Sequence, residues 1–417
     1  MREHVLRRQV VEEMHLRRWP HLPPEGEIVQ IAWVVAPEER EKELRLLKTG
    51  LADGAAPPSP KDRHYSGQLY NGTAFAWERH TEGTSVTVFF TGAHSDKEFA
   101  KVREWMERFP GQVVRATHIN IVPDEAAAEA MLERMPFRSG EMVSSRLAGG
   151  NRFWSDFRIH EGNYGRVLIA ANGCDPVALS RSVQQLQELG NYRNMALLAL
   201  PEVREQWVEL DVVEQRLRQF AAEVSDPNSR DDMLLEQVSG LSLELTNLSN
   251  RIGYRLDATK AYAELVSERL EDLQPEPISG FHSLKDFARR RFLPAVRTCA
   301  AYRERLDKLT ARSADLTALL RARVETRIEN QNAKLLESME RRAAQQLRLQ
   351  QLVEGLSIVA ISYYGVNLLA YVLKGAAHAV PLGDVDLVLA LSVPVTMALI
   401  WLFMRLAKRR LLNDPDP

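Results

Sequence analysis

Three short stretches carry the side chains best suited to chemistry. "WERHTEG" (77–83) sets Glu78 and His80 two positions apart. Side chains alternate along a strand, so both would share one face. An imidazole beside a carboxylate is the usual material of general acid–base catalysis. "FWSDFRIHEGNYG" (153–165) repeats the pattern with Asp156, Arg158 and His160 at alternate positions. That row could bind an ion or form salt bridges across a subunit boundary, and the structural role is the expectation. For Glu78 and His80 the simpler expectation is a solvated strand face at a hairpin end. "EMHLRRWPHLPP" (13–24) groups His15, Arg17, Arg18, Trp19 and His21. It has no second ligand pair at zinc-like spacing, so it reads as a polar anchor for an extended N-terminus. The sequence holds no Walker loop, dinucleotide fingerprint, nucleophile elbow or HExxH. No catalytic residue, metal or cofactor is therefore assigned, and no enzyme is expected.

A fourth polar pattern lies on an apolar background. At about 100° per residue, Ser357, Ala360, Tyr364, Asn367 and Tyr371 fall within an arc of about 80°, and Glu354 stands at the entrance to that stretch. Small and hydrogen-bonding residues on one stripe suit helix–helix packing. The sharper alternative is a polar lining around a symmetry axis.

The elements that would hold these groups divide the chain. From Leu356 to Leu373 there is no charge, and from Leu387 to Leu406 only Arg405 interrupts the apolar run. Each run has the length of about 20 residues that crosses a hydrocarbon core. The short connector over 375–386 makes them antiparallel neighbours, and Pro394 predicts a kink in the second. Arg341, Arg342 and Arg348 precede the pair; Arg405, Lys408, Arg409 and Arg410 follow it; around the connector stand Lys374, Asp384 and Asp386. The excess of Lys and Arg on one side places both chain ends in the cytoplasm and the connector outside.

The rest is expected to be cytoplasmic. The opening "MREHVLRRQVVEEMHLRRW" is charged and lacks the apolar run of a signal peptide. Cys174 and Cys299 are far apart and fit a reducing compartment. With 417 residues, two or three units are expected. A net charge of −2 argues against a nucleic-acid binder.

Residues 27–123 read β-α-β-β-α-β, the order of a ferredoxin-like split βαβ unit. "GLADGAAPPSPKDRHYSG" is its Gly/Pro-rich loop, and Ser95 is the cap candidate of its second helix. "EMVSSRLAG", "NRFWSDFRIH" and "GRVLIAAN" form a meander over about 141–171, completing an α/β domain at 1–174. Helices then fill 175–294, near 176–190, 191–223, 231–273 and 283–293. Between Ala295 and Glu354 there is neither Gly nor Pro, which permits a stalk helix of about 90 Å. Leu316, Leu320, Val324, Ile328, Leu335 and Met339 form a stripe on it, mostly in steps of four. A lone helix cannot bury such a stripe, so it must pack on neighbouring helices or on sister copies. Spans at 355–374 and 387–406 and a basic tail at 407–417 complete an α+β membrane protein.

Several stretches resemble an uncharacterised bacterial membrane-protein family, domain-of-unknown-function family 3422. They are "WERHTE" (77–82), "GGNRFWSDFRIH" (149–160), "YRNMALLALPEVR" (192–204), the long run from Leu319 to Val366 and, more loosely, "EMHLRRWP" (13–20). The resemblance implies membership and brings no activity with it. The plan is also similar to CorA-type divalent-cation channels, whose first span carries Gly-Met-Asn, usually after Tyr. Tyr364-Gly365-Val366-Asn367 looks like that motif, with Val in place of Met and the tripeptide in mid-span. The leading expectation is a homo-oligomeric scaffold or sensor of the bacterial inner membrane, with lipid as a partner. The alternative is a CorA-like ion channel or transporter with a divalent cation and a pore lined by the first span.

Overall fold

The computed structural model describes residues 3–14, 19–92, 94–226, 229–376 and 385–412. His15, Arg17 and Arg18, the connector over 377–384 and the tail from 413 lie outside the described residues, as do the side chains of Lys408, Arg409 and Arg410.

The chain begins with α1 (Arg7–Glu13), β1 (Gly26–Val34) and α2 (Arg40–Gly50). β2 (His64–Gln68), β3 (Ala74–Arg79), β4 (Gly83–Phe90), α3 (Asp96–Glu107) and β5 (Gln112–Val122) follow. Then come α4 (Glu125–Leu132), β6 (Val143–Arg146), β7 (Arg152–Ser155) and β8 (Gly165–Ala170). The remaining elements are α5 (Pro176–Ala196), α6 (Leu200–Val224), α7 (Asp231–Leu273), β9 (Glu276–Pro277), α8 (Leu284–Phe287), α9 (Leu293–Ala376) and α10 (Val385–Leu412).

All the strands belong to one nine-stranded sheet of order β2-β3-β4-β1-β5-β8-β7-β6-β9. β1 pairs antiparallel with β4 and with β5, and β3 pairs antiparallel with β4. β8 adds to β5 in parallel, from Thr117↔Gly165 to Val122↔Ala170. The expected meander is thus the other half of the same sheet.

Alternation along the central strands loads both faces with apolar side chains. One set, including Val29, Ile31, Trp33, Trp77, Val86 and Val88, packs on Leu47 of α2 and on Val102, Trp105 and Met106 of α3. The opposite set, including Ile28, Phe89, Ile119, Val167 and Ile169, packs on Leu179, Val183 and Leu186 of α5 and Val266 and Leu273 of α7. α4 covers Trp154 and Leu168 through Ala128. The result is a helix–sheet–helix sandwich.

Local chemistry sets the helix ends. Ser95 and Glu98 form a reciprocal capping box at the start of α3, as the sequence suggests. Asp175 accepts from the backbone N–H groups of Val177 and Ala178, with Pro176 in the first turn of α5. α5 continues beyond the expected end at 190, and the break before α6 is a 3-10 turn at Leu197–Ala199. α4 and β2 are not expected from the sequence; the loop chemistry of "PPSPKDRHYSG" obscures β2. β7 is shorter than expected: it stops at Ser155, and Phe157 adopts φ 51°, outside the range of a strand.

Contacts divide the chain into units Met1–Ala318 and Leu319–Pro417, so the division falls inside α9. The helical path through Leu284–Val372 is long and apolar enough to cross a membrane. Its apolar 18-residue window has a mean hydropathy of 1.5 and is 6% buried. The described apolar part of α10, Ala390–Leu406, is shorter. Within the second unit α9 and α10 are neighbours: a Cβ on Gly365 would lie 3.6 Å from Thr396 Cγ2 and 3.8 Å from Ile400 Cδ1.

Two glycines answer to large side chains. A Cβ on Gly50 would sit 2.4 Å from the Trp105 ring. One on Gly190, inside α5, would sit 2.5 Å from Arg115 Cζ. The Arg115 guanidinium is held by Gln187 Oε1 at 2.6 Å, Asn191 Oδ1 at 3.1 Å and Gln30 Oε1 at 3.3 Å, so it has little room to yield. Glycine inside a helix costs about 1 kcal/mol relative to alanine, and here it makes space for a desolvated charge. Gly190→Ala should therefore destabilise the chain by about 1–3 kcal/mol, read as a lowered melting temperature. A raised melting temperature would mean that propensity outweighs the contact.

Candidate functional site

Glu78 and His80 lie on the sheet face that meets α5 and α7, and they do not face open solvent. Glu78 Oε1 is 3.6 Å from His64 Nδ1 on β2, and Glu78 Oε2 is 3.9 Å from His80 Nε2. The His80 ring meets Tyr192 edge-on, and Tyr192 stacks on Tyr262 of α7. One α5 turn earlier, Glu188 accepts from Arg269 Nε at 2.6 Å and from Gln184 Nε2 at 3.0 Å. Arg269 also donates to Asp272 at 2.9 Å.

Burial dominates the electrostatics here. It pushes the Glu188 carboxyl above its usual range despite Arg269, with the nearby Glu78 charge adding to the effect. It raises the Tyr192 phenol, and it pushes Tyr262 up to about 12. Both tyrosines therefore stay neutral at physiological pH. Farther along the same face, Arg255 Nη1 donates to Glu82 Oε2 at 2.7 Å. His80 and Glu82 thus meet α5 and α7, while Trp77 and Arg79 of the same stretch turn to the opposite face.

The second expected row does not form. The chain leaves the strand at Ser155, so Asp156, Arg158 and His160 do not alternate on one face. His160 Nε2 lies 2.9 Å from Asp156 Oδ1, and the Arg138 N–H donates to Asp156 Oδ2 at 3.4 Å. Arg158 turns away and forks onto Glu141, with Nη2 donating to Oε1 at 2.8 Å. Phe157, between them, stacks on Phe287 and lies under the Arg193 guanidinium. The Asp156–His160 pair and the Glu78–His80 pair keep separate partners and form no joint catalytic constellation.

On α9, Ser357 and Asn367 are half-buried and Ser362 is buried. Tyr364 and Tyr371 are 68% and 77% exposed. The expected polar arc is therefore split between covered and uncovered positions. Glu354, also half-buried, precedes it.

Two further constellations join residues far apart in the chain. Glu43 of α2 is fully buried, accepting from Trp77 Nε1 and from Arg79 Nη2, each at 2.9 Å. Removing one member of such a pair costs about 3–5 kcal/mol, which marks it as structural. The other lies on the α3 side of the sheet. Arg166 of β8 donates to His118 Nδ1 on β5, so the ring proton sits on Nε2 and is given to Glu27 Oε2 of β1 at 2.6 Å. The hydrogen bond from His118 holds the Glu27 carboxyl below the usual range. Glu27 lines a cavity of about 420 Å³. The visible signal was a polar residue breaking each apolar strand: Glu27 in "EIVQIAWVV", His118 in "THINIV" and Arg166 in "GRVLIA".

Among the described residues no group of three or more His, Cys, Asp or Glu could hold a metal ion. The two cysteines are free, and burial raises both thiols, which disfavours the reactive thiolate. A second groove of about 570 Å³ lies between α7 and α9 of the first unit, walled by Leu256, Ala263, Leu293, Val296 and Cys299.

A nine-stranded α+β domain and a long, partly apolar helix define a class for which fold alone assigns no chemistry. The chain belongs to the family described as protein of unknown function (DUF3422), which matches residues 2–411. Neither a curated protein nor a solved structure matches it.

Glu188 gives a directional test. Folding shifts its balance towards the protonated form, so its contribution is fully present below the ordinary carboxyl pKa of about 4.3. That contribution is lost as pH rises through the raised value. Glu188→Gln keeps an acceptor for Arg269 and removes the buried charge. The variant should melt above the parent at pH 7, and the gap should close towards pH 4.5. A variant that melts lower at pH 7 would show that the Arg269 attraction outweighs desolvation.

Proposed function

We propose that the chain is a membrane-anchored homo-oligomer that scaffolds or senses from the cytoplasmic face of the bacterial inner membrane. The observation that supports this most is the state of the apolar end of α9. Leu356, Tyr363, Leu368 and Val372 are each about two-thirds exposed or more, whereas a core helix of comparable composition would be covered. Lipid is the natural solvent for such a surface. In this reading α9 and α10 form a two-helix hairpin. The basic residues before and after it, Arg341, Arg342, Arg348 and Arg405 among them, keep both ends cytoplasmic.

The oligomer rests on the earlier part of α9. Leu320 is fully buried, while Ile328, Leu335 and Met339 on the same expected stripe are each more than half exposed. Charged neighbours such as Glu329, Lys334, Glu337 and Arg341 suit water or protein and exclude a hydrocarbon surround. A sister helix covers such a stripe best. In the first unit, β1-α2-β3-β4-α3-β5, with strands in the order β3-β4-β1-β5, reads as a ferredoxin-like unit.

Membrane fractionation and light scattering in detergent test the two halves. The chain should stay in the membrane pellet through an alkaline carbonate wash, and the detergent-solubilised protein should have a mass of at least two copies. A protein released by carbonate would remove the anchor. A monomer at every concentration would remove the oligomer. Ile328→Glu with Leu335→Glu should shift the mass towards one copy while leaving the protein in the pellet.

A further inference from the structure

The cavity beside the Arg166–His118–Glu27 relay is walled unevenly. Glu25, Glu27 and Asn120 give it polar groups, while Phe90, Val122 and Met131 give it an apolar side. At about 420 Å³ it lies within the range of about 300–1,000 Å³ usual for small-molecule sites. His94 also lines it, and neither Lys nor Arg does.

The relay fixes what Glu27 can offer. Arg166 can only donate, so His118 Nδ1 must accept and His118 Nε2 must donate to Glu27. Arg166 reaches His118 and leaves the cavity wall to the carboxylates. Glu27 therefore presents a carboxylate in a fixed orientation, supported from behind and with acceptor capacity to spare. An anionic ligand would meet Glu25 and Glu27, with the Arg166 guanidinium engaged by His118 behind them and the His94 imidazole as the one basic side chain among the lining residues. A divalent metal lacks its ligand set, since no three suitable groups converge among the described residues. An organic cation pairs its head with Glu27 and lays its hydrocarbon chain along Phe90 and Met131.

We infer that this cavity binds a short aliphatic diamine, with one ammonium group on the Glu27 carboxylate, the other towards the exposed Glu25 and the alkyl chain between them against the Phe90–Met131 wall. Such a ligand gives the sensor reading an input. The site belongs to the first unit, and its occupancy does not depend on whether α9 crosses a bilayer.

Isothermal titration of the full-length chain in detergent, with putrescine as probe and butyrate and magnesium chloride as controls, tests the inference. Putrescine should bind saturably with one site per chain, and butyrate should not bind. Glu27→Gln should weaken putrescine at least about tenfold, a loss of about 1.4 kcal/mol. Met131→Trp, which fills the apolar side from α4 and leaves the relay intact, should abolish binding while the melting temperature stays near that of the parent. This second variant keeps the test decisive if Glu27→Gln does not fold. No heat of binding from folded parent protein at millimolar putrescine overturns the proposal. So does an affinity unchanged in both variants, or magnesium binding at the same site more tightly than putrescine. Loss of membrane anchoring with putrescine binding retained would overturn the anchor alone.

Discussion

Parallel strands cannot be joined by a tight turn, and the ladder between β5 and β8 is the constraint on which the rest of the first unit depends. Its register, Thr117↔Gly165 through Val122↔Ala170, joins two antiparallel sets into one sheet. The chain between them passes through α4, β6 and β7, and α4 covers Trp154 and Leu168 on the way. Because the sheet is continuous, α5 and α7 find one broad apolar face and bury both halves in a single cluster. Without the parallel pair, the strands from β6 to β8 would expose an edge, and α5 would span two unconnected surfaces.

The same joint aligns the polar side chains. His118 and Arg166 are direct neighbours in the parallel ladder, and Glu27 reaches them from β1 on the other side of β5. On the opposite face Arg115 and Thr117 of β5 meet Gln187 and Asn191 of α5. Burial pulls Arg115 down to about 9, with the nearby Arg193 charge adding to the effect. Neutral amide oxygens hold that guanidinium, with no carboxylate among the acceptors. Such an arrangement is costly to desolvate, and it leaves α5 only one fitting registry against the sheet. Specificity of docking is a better account of Arg115 than stability.

Periodicity showed much of this and topology little. The alternation in "EIVQIAWVV" and "TSVTVFFTG" places β1 and β4, and Ser95 and Asp175 mark where α3 and α5 begin. What remained hidden was long-range. Nothing local in "GRVLIAAN" says that its neighbour is β5 and not the preceding strand alone, because pairing partners are set by sheet closure over long stretches of chain. "NRFWSDFRIH" looks like a strand throughout, yet Phe157 takes a left-handed conformation and stacks on Phe287. A tertiary contact overrides local propensity there, and the expected Asp156–Arg158–His160 row dissolves with it. Glu78 and His80 were recognised as candidates, but their partners Glu188, Tyr192 and Arg269 lie on helices whose packing no spacing reveals. Gly190 falls where the sequence reads a helix end, yet α5 runs on to Ala196 and the Arg115 contact accounts for the glycine.

The unpaired surfaces of α9 sort by composition into two kinds. Beyond Leu356 the run is uncharged, so hydrocarbon can surround it without stranding an ion. Between Ile328 and Met339, apolar side chains more than half exposed alternate with Glu329, Lys334 and Glu337. Hydrocarbon there would desolvate several charges, while water would leave the apolar side chains uncovered. A protein partner with its own charged flanks would meet both demands, which is the ground for the proposed sister copy. In the proposed reading one helix would thus meet two solvents in succession, with the change falling at the charge boundary near Glu354.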